Sequence, residues 1–273
     1  MVTVLRFFGR LLKPVLSRTI YRPGNVARIL FGPAKGLRYT IFPGYGLSMI
    51  YGGWEPDVHE VMCTHVKPGG VAYDLGANYG IYTMFLARLV GPTGTAYAFE
   101  PLPEIMTQLK ANIALNSLTN VEYVAMAASD QVGTAQFRVG SHAGSGHLET
   151  VDQYHPTSGR TVNVAQITLD EFVRRGHRPP TFLKIDVEGA EGAVFAGARQ
   201  VLAEHRPTIA VEVHSADLGE TVGAALAAAD YKAWRIEPGM PAVRYLTSGP
   251  LGACDLAGFV LAVPAERAGE PRG

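Results

Sequence analysis

Charged side chains at the ends of apolar runs mark where this chain can do chemistry. Asp74 follows Val71 to Tyr73, Glu100 follows Thr95 to Phe99, Asp186 and Glu188 close the run from Thr181, and Glu212 and His214 close the run from Thr208. A carboxylate offers two oxygens to two donors, and it can take a proton from a hydroxyl. An imidazole does the second job with a pKa nearer working pH. Lys184 and Asp186 lie two apart, as do Glu212 and His214, so each pair shares one face of a strand. Lys184 with Asp186 then reads as an ion pair at a strand's C-terminal end, where α/β sheets place their ligands.

The stretch that must position these groups is Val71 to Gly80, VAYDLGANYG. It reads as a strand, a glycine turn, and a helix whose apolar residues are Ile81, Met84, Phe85, Ala87 and Leu89. Glycine takes positive φ cheaply and lets the backbone approach a ligand. The dinucleotide fingerprint G-x-G-x-x-G is absent, which disfavours a nicotinamide oxidoreductase. A carboxylate in that place repels a pyrophosphate and suits a ligand with an ammonium and a sulfonium. The spacing D-x-G-x-N-x-G resembles motif I of class I S-adenosylmethionine-dependent methyltransferases, which implies that Asp74 and Asn78 face the cofactor's amino-acid end or ribose. Glu100, 26 residues past Asp74, is placed to accept both ribose hydroxyls of an adenosine. A third strand is expected over Val121–Ala127, with its exit through Ser129 and Asp130 facing either adenine or a plain turn.

Further along, Thr181 to Val187 reads as a strand that launches a helix with Val194, Phe195 and Ala198 inward. Thr208 to His214 is another strand and Ala216 to Ala229 an alanine-rich helix. Tyr231–Ile236 and Leu256–Val263 read as a closing antiparallel pair. KIDVEGAE (Lys184 to Glu191), with DLGANYG and Trp54-Glu55-Pro56, resembles the FkbM-type S-adenosylmethionine-dependent methyltransferase family over roughly Tyr51 to His214. The resemblance implies an α/β fold: a class I methyltransferase Rossmann-like doubly wound sheet, mostly parallel, with an antiparallel terminal strand pair. It implies S-adenosyl-L-methionine as cofactor and transfer of its methyl group to a hydroxyl on a sugar or other small metabolite. Carried onto this sequence, the cofactor-binding set is Glu55, Asp74, Gly76, Ala77, Asn78, Gly80, Glu100, Pro101, Ser129 and Asp186. The catalytic set is Asp186 as orienting acid or base, His214 as its rival, and Glu188. Mg²⁺ on Asp186, Glu188, Glu212 and His214 is a variant that nothing in their spacing demands. A protein that keeps the fold and the cofactor but not the chemistry is the alternative from another class.

The rest of the chain sets boundaries. Its 273 residues, 47% hydrophobic and 18% charged, suit one large α/β domain over residues 55–264, preceded by a basic extension (1–54) and followed by a frayed tail (265–273). Basic and acidic residues number 24 each, which gives no reason to expect nucleic acid. The distribution is uneven, because residues 1–54 hold eight of the basic residues and no acid. Val4, Leu5, Phe7, Phe8, Leu11 and Leu12 with Arg6 and Arg10 read as a basic amphipathic helix. Such a helix docks on protein, including a second copy, or lies peripherally on an anionic membrane. Arg28–Phe31 and Leu37–Phe42 read as a strand, turn and strand, and glycines 44, 46, 52 and 53 surround Tyr45, Tyr51 and Trp54. The polar insertion from Gly140 to Arg160 carries His142, His147 and His155 at irregular spacing, which reads as solvent or substrate contact rather than metal. Two cysteines, no apolar run near 18 residues and no good signal peptide point to a reducing, cytoplasmic setting.

Overall fold

The computed structural model describes residues 22–42, 47–140, 146–148, 160–236 and 258–268. Strands β1 (Val26–Arg28) and β2 (Arg38–Thr40) form an antiparallel hairpin, followed by helices α1 (Leu47–Ile50) and α2 (Pro56–His65). Then come β3 (Val71–Leu75), α3 (Ile81–Val90), β4 (Thr95–Phe99), α4 (Pro103–Leu115) and β5 (Val121–Val124). A second group comprises β6 (Ala127–Ala128), β7 (Gly133–Val139), β8 (Gly146–Leu148), β9 (Thr161–Ile167) and α5 (Leu169–Arg174). The last part holds β10 (Phe182–Ile185), α6 (Glu191–Ala196), β11 (Thr208–Val213), α7 (Ala216–Ala228), β12 (Tyr231–Arg235) and β13 (Gly258–Pro264).

Seven strands pair in the order β12-β13-β11-β10-β3-β4-β5. The chain starts in the middle at β3, works outward to β5, then crosses back to β10 on the other side, so the sheet's switch point lies between β3 and β10. β13 inserts between β11 and β12 and pairs antiparallel with both. This is the mostly parallel, doubly wound sheet with a terminal antiparallel pair that the sequence implies.

All five residues of β3 are buried, as a parallel strand covered on both faces requires. Alternation decides what each face meets. Ala72, Ala96, Ala98 and Ala210 share a core with Met84, Phe85 and Leu86 of α3, while Tyr73, Leu75, Tyr97 and Phe99 face the opposite cluster around Phe172, Val194 and Phe195. Small strand residues leave room for a bulky helix, and large ones fill the wider side. The N-terminal hairpin joins the first core through Ala27, Ile29, Leu37 and Tyr39. Asn112 of α4 ties it to the turn after β3, accepting from Thr40 N and donating to Tyr79 O, each at 2.8 Å.

Several expectations need correcting. The single strand over Val121–Ala127 divides after Val124. β5 is an edge strand with Glu122 and Tyr123 exposed, and the chain then leaves so that β6 pairs parallel with β9 in a separate sheet, β6-β9-β7-β8. The strand from Thr181 stops at Ile185 rather than Val187, because the backbone turns at Asp186 and Glu188 adopts φ 52°. The first hairpin strand is Val26–Arg28 and meets the expected Arg28–Phe31 only at Arg28, while the second is confined to Arg38–Thr40 within the expected Leu37–Phe42.

The basic segment 2–12, Tyr45 with its flanking glycines, His142, His155, Cys254 and residues 269–273 lie outside the described residues. His147 belongs to β8. Cys63 is a free, exposed thiol. Among the described residues no helix is long and apolar enough to cross a membrane.

Candidate functional site

The turn after β3 is held by its neighbours' backbones. Gly76 N and Ala77 N both donate to Phe99 O, at 3.1 and 2.9 Å, which binds the turn to the end of β4. Gly76 has φ 77°, and a Cβ there would sit 1.8 Å from the carbonyl oxygen of Asp186. Only glycine lets the ends of β3 and β10 close to that separation. Gly80, at φ 83°, caps the start of α3 against Leu109.

Two cavities open on either side of this crossing, and both are lined by Gly76, Asn78, Asp186 and Glu188. The first, about 70 Å³, is a slot between Phe99, Glu100, Pro101 and Leu102 on one side and Ala127, Ala128 and Phe137 on the other. Glu100 is buried, with Oε2 accepting from Asn78 N at 3.1 Å and Oε1 from Leu102 N at 2.9 Å. Burial pushes its carboxyl up to about 7 in spite of those two donors. Each oxygen keeps a second lone pair for a ligand hydroxyl.

The second cavity, about 330 Å³, is walled by aromatic Trp54, Tyr79 and Tyr82 and by charged Glu55, Lys184, Asp186, Glu188, Glu212 and His214. Lys184 is the hub. It is 3% exposed, its Nζ lies 3.1 Å from Asp186 Oδ2 and 3.5 Å from Asp74 Oδ1, and it stands 4.7 Å over the Tyr82 ring. The ladder explains the second contact, since Lys184 on β10 is the register partner of Asp74 on β3. Burial alone would lower the Lys184 pKa, but Asp186 and Asp74 together raise it, so the ammonium stays charged. The Tyr82 hydroxyl donates to Glu55 Oε2, and burial raises the Glu55 pKa.

On the other flank His214 Nδ1 lies 2.8 Å from Glu191 Oε1, while Nε2 lies 3.5 Å from Glu188 Oε2 and 3.8 Å from Asp186 Oδ1. Burial would lower the imidazole's pKa. The hydrogen bond to Glu191 and the charges of Glu191, Asp186 and Glu188 outweigh it and raise it to about 9. Burial, reinforced by Asp186, raises Glu212 to about 7.

Most residues singled out in the sequence meet at this crossing, and some do not. Glu55, Gly76, Ala77, Asn78, Glu100, Pro101, Asp186, Glu188 and His214 line one cavity or both. Asp74 does not line either. It is fully buried, accepting from Thr83 Oγ1 at 2.6 Å and facing Lys184, so it acts one layer behind the wall. Burial raises its pKa against the pull of Lys184 and Thr83. Ser129 is also buried and off the wall, its Oγ 3.2 Å from Asp130 Oδ1, and Ala127 and Ala128 line the slot in its place. Gly80 shapes the helix start without lining a cavity. Sequence reasoning overlooked Tyr82, Thr83 and Glu191. A tyrosine and a threonine within an apolar helical run carry no signal of their own, but Glu191 could have been found as an acid on the first turn of a helix that follows a strand-end cluster.

Three non-glycine residues at the site hold left-handed backbone: Glu55 (φ 45°), Asn78 (φ 50°) and Glu188 (φ 52°). Asn tolerates this region, whereas a glutamate there costs about 1–2 kcal/mol. Among the described residues Asp186, Glu212 and His214 bring potential ligand atoms within 4.8 Å of one another. The Lys184 ammonium already lies 3.1 Å from Asp186 Oδ2, so one of these carboxylates has a cationic partner within the protein.

The model of the Methyltransferase FkbM domain matches residues 74–233. The chain is 30% identical over 187 residues to the 31-O-demethyl-FK506 methyltransferase FkbM of Streptomyces tacrolimicus, an alignment covering 58% of this chain and 71% of that one. It is 31% identical over 118 residues to a protein-L-isoaspartate O-methyltransferase of Triticum aestivum, covering 42% of this chain and 48% of the relative. Among solved structures, the methyltransferase FkbM of Methylobacillus flagellatus KT superposes with a TM-score of 0.47 at 17% identity, over 75% of this chain and 50% of that chain. The chain thus spans about half the length of the latter two.

Proposed function

We propose that this chain, which belongs to the FkbM family of S-adenosylmethionine-dependent methyltransferases, methylates a hydroxyl oxygen on a sugar or another small metabolite. The observation that supports this most is the meeting, at Gly76 and Asp186, of a slot suited to a nucleoside with a roomier charged cavity suited to an acceptor.

In this reading Glu100 accepts the ribose hydroxyls, and Phe99, Pro101, Leu102 and Ala127 enclose the base. Gly76, Ala77 and Asn78 present backbone to the amino-acid end, where Glu55 complements positive charge. The cofactor, when bound, supplies an activated methyl group on a sulfonium. The chain's own work is then to orient the acceptor oxygen, exclude water and receive a proton. Asp186 is the proton acceptor. Lys184, anchored by Asp74, fixes that carboxylate in place, and the walls of Trp54, Tyr79 and Tyr82 keep the cavity partly dry.

Calorimetry with S-adenosylhomocysteine tests the cofactor assignment, and absence of binding removes it. Incubation with S-adenosylmethionine and a panel of hydroxylated acceptors, read by mass spectrometry, tests the chemistry. Tight cofactor binding with no methylated product from any acceptor would instead favour a binding protein of the same fold. Turnover is expected to survive exhaustive EDTA treatment, and loss restored by Mg²⁺ would make the cluster of Asp186, Glu212 and His214 a metal site.

A further inference from the structure

We propose that the outer face of the N-terminal hairpin seats the protein on an anionic lipid bilayer. Alternation along the first strand turns Ala27 and Ile29 into the core and leaves Val26, Arg28 and Leu30 outside. Val26 is 47%, Leu30 41% and Phe31 51% exposed, whereas the other large apolar side chains exposed among the described residues, Tyr123 and Val132, belong to other elements. Between Val26 and Leu30 stands Arg28, whose register partner on β2 is Arg38. Like charges directly opposite one another cost stability, and no acid among the described residues pairs with Arg28, Arg38 or Lys35. The hairpin is also firmly mounted. Leu30 N donates to Ile50 O at 2.7 Å, Asn116 of α4 bonds both backbone groups of Arg38, and the Phe42 ring stacks 3.5 Å from that of Tyr79 on the wall of the larger cavity. The domain therefore presents this mixed basic and apolar face as a fixed surface.

Charge selects the occupant. Residues 1–54 hold eight basic residues and no acid, and Arg22, Arg28, Lys35 and Arg38 are all exposed on or beside the hairpin. A second copy set on the same face in a two-fold contact would bring arginines against arginines. The chain's own first 21 residues carry Arg6, Arg10, Lys13 and Arg18 and no acid, so the same repulsion opposes them. A nucleic acid answers the arginines but gives Val26 and Leu30 nothing to bury in. An anionic bilayer answers both. Its headgroups take the basic side chains, and Val26, Leu30 and Phe31 sink past them to the acyl boundary. The inference needs only this surface and stands apart from the methyl-transfer reading.

The test is sedimentation of the full-length protein with vesicles of phosphatidylcholine alone and of phosphatidylcholine with phosphatidylserine at about three parts to one. The protein is expected to sediment with the mixed vesicles, far less with the neutral ones, and less as salt is added. Arg28→Gln with Arg38→Gln should weaken partitioning by about 25-fold, taking about fivefold for each basic residue near an anionic surface. Leu30→Ser with Phe31→Ser should weaken it by about tenfold or more. All four side chains are exposed, so urea midpoints should stay near the wild type. Phe31→Trp keeps an aromatic ring in place and reports directly, since its added emission should shift to the blue on mixed vesicles. Unshifted emission from sedimented protein would overturn the proposal. So would equal partitioning onto both kinds of vesicle, or hairpin variants that partition like the wild type. Dependence on the arginines without dependence on Leu30 and Phe31 would mark a polyanion site such as one for nucleic acid. A dimer in sedimentation velocity that Leu30→Ser with Phe31→Ser splits would assign the face to a second copy, and either result refutes the lipid assignment.

Discussion

Gly76 and Asp186 approach so closely that a Cβ on the first would lie 1.8 Å from the carbonyl oxygen of the second. The obstacle is backbone, which cannot swing aside, and Gly76 also has positive φ. Gly76→Ala is therefore expected to destabilise the protein by at least ~3 kcal/mol and to abolish S-adenosylhomocysteine binding. Gly80→Ala is the control. There φ is likewise positive, but the added carbon meets Cγ of the buried Leu109 at 2.9 Å, a side-chain atom and not backbone, so a smaller loss of about 2 kcal/mol is expected. Urea denaturation of both variants checks the order, and equal losses would mean that the β3–β10 crossing is looser than described.

Asp74→Asn separates a wall residue from one behind it. The asparagine can still accept from Thr83 but leaves Lys184 with Asp186 as its one close anion. A buried ammonium held by one carboxylate instead of two is less well compensated, and a stability loss of about 1–2 kcal/mol is expected. The loss of S-adenosylhomocysteine affinity should be smaller than for Glu100→Gln. A larger loss, measured by calorimetry, would return Asp74 to direct cofactor contact.

Glu100 gives the site a pH dependence of known sign. With its folded pKa raised from 4.5 to about 7, the folded chain holds more protons than the unfolded one between those values. Its contribution to stability therefore falls as pH rises through that window. Hydroxyl donors need the ionised form, so the dissociation constant for S-adenosylhomocysteine should improve from pH 6 to pH 8. Glu100→Gln should bind more weakly, by about tenfold, and without that slope. A slope unchanged in the variant would assign it to another group, with Glu212 next in line.

Asp186→Asn is expected to lower kcat by ~10² to 10⁴ while changing S-adenosylhomocysteine affinity little. Lys184 keeps Asp74, so the fold should survive the exchange. Unimpaired turnover on whichever acceptor is found would remove Asp186 as the base.

The features legible in the sequence were those with a local signature. The glycine spacing from Asp74 to Gly80 announced the turn, and the two-residue interval between Lys184 and Asp186 put both on one face, where they pair at 3.1 Å. What escaped depended on partners distant along the chain. Nothing in VAYD says that Asp74 lies beside Lys184, because that neighbour is fixed only by the register of β3 with β10. The break after Val124 was hidden because the apolar run continues through Ala125 and Met126 with no glycine or proline to mark where the strand leaves its sheet. His214 could be picked out as an imidazole at a strand end, but its bond to Glu191 needed the packing of α6 beside β11.

Glu55 and Glu188 sit in backbone territory that an L-residue enters at a cost, and both border the larger cavity. Glycine at either place should relieve that cost while removing a carboxylate the chemistry has use for. Heat tolerance and turnover consequently pull these two positions in opposite directions, and a lineage selected for endurance alone would be expected to surrender them first.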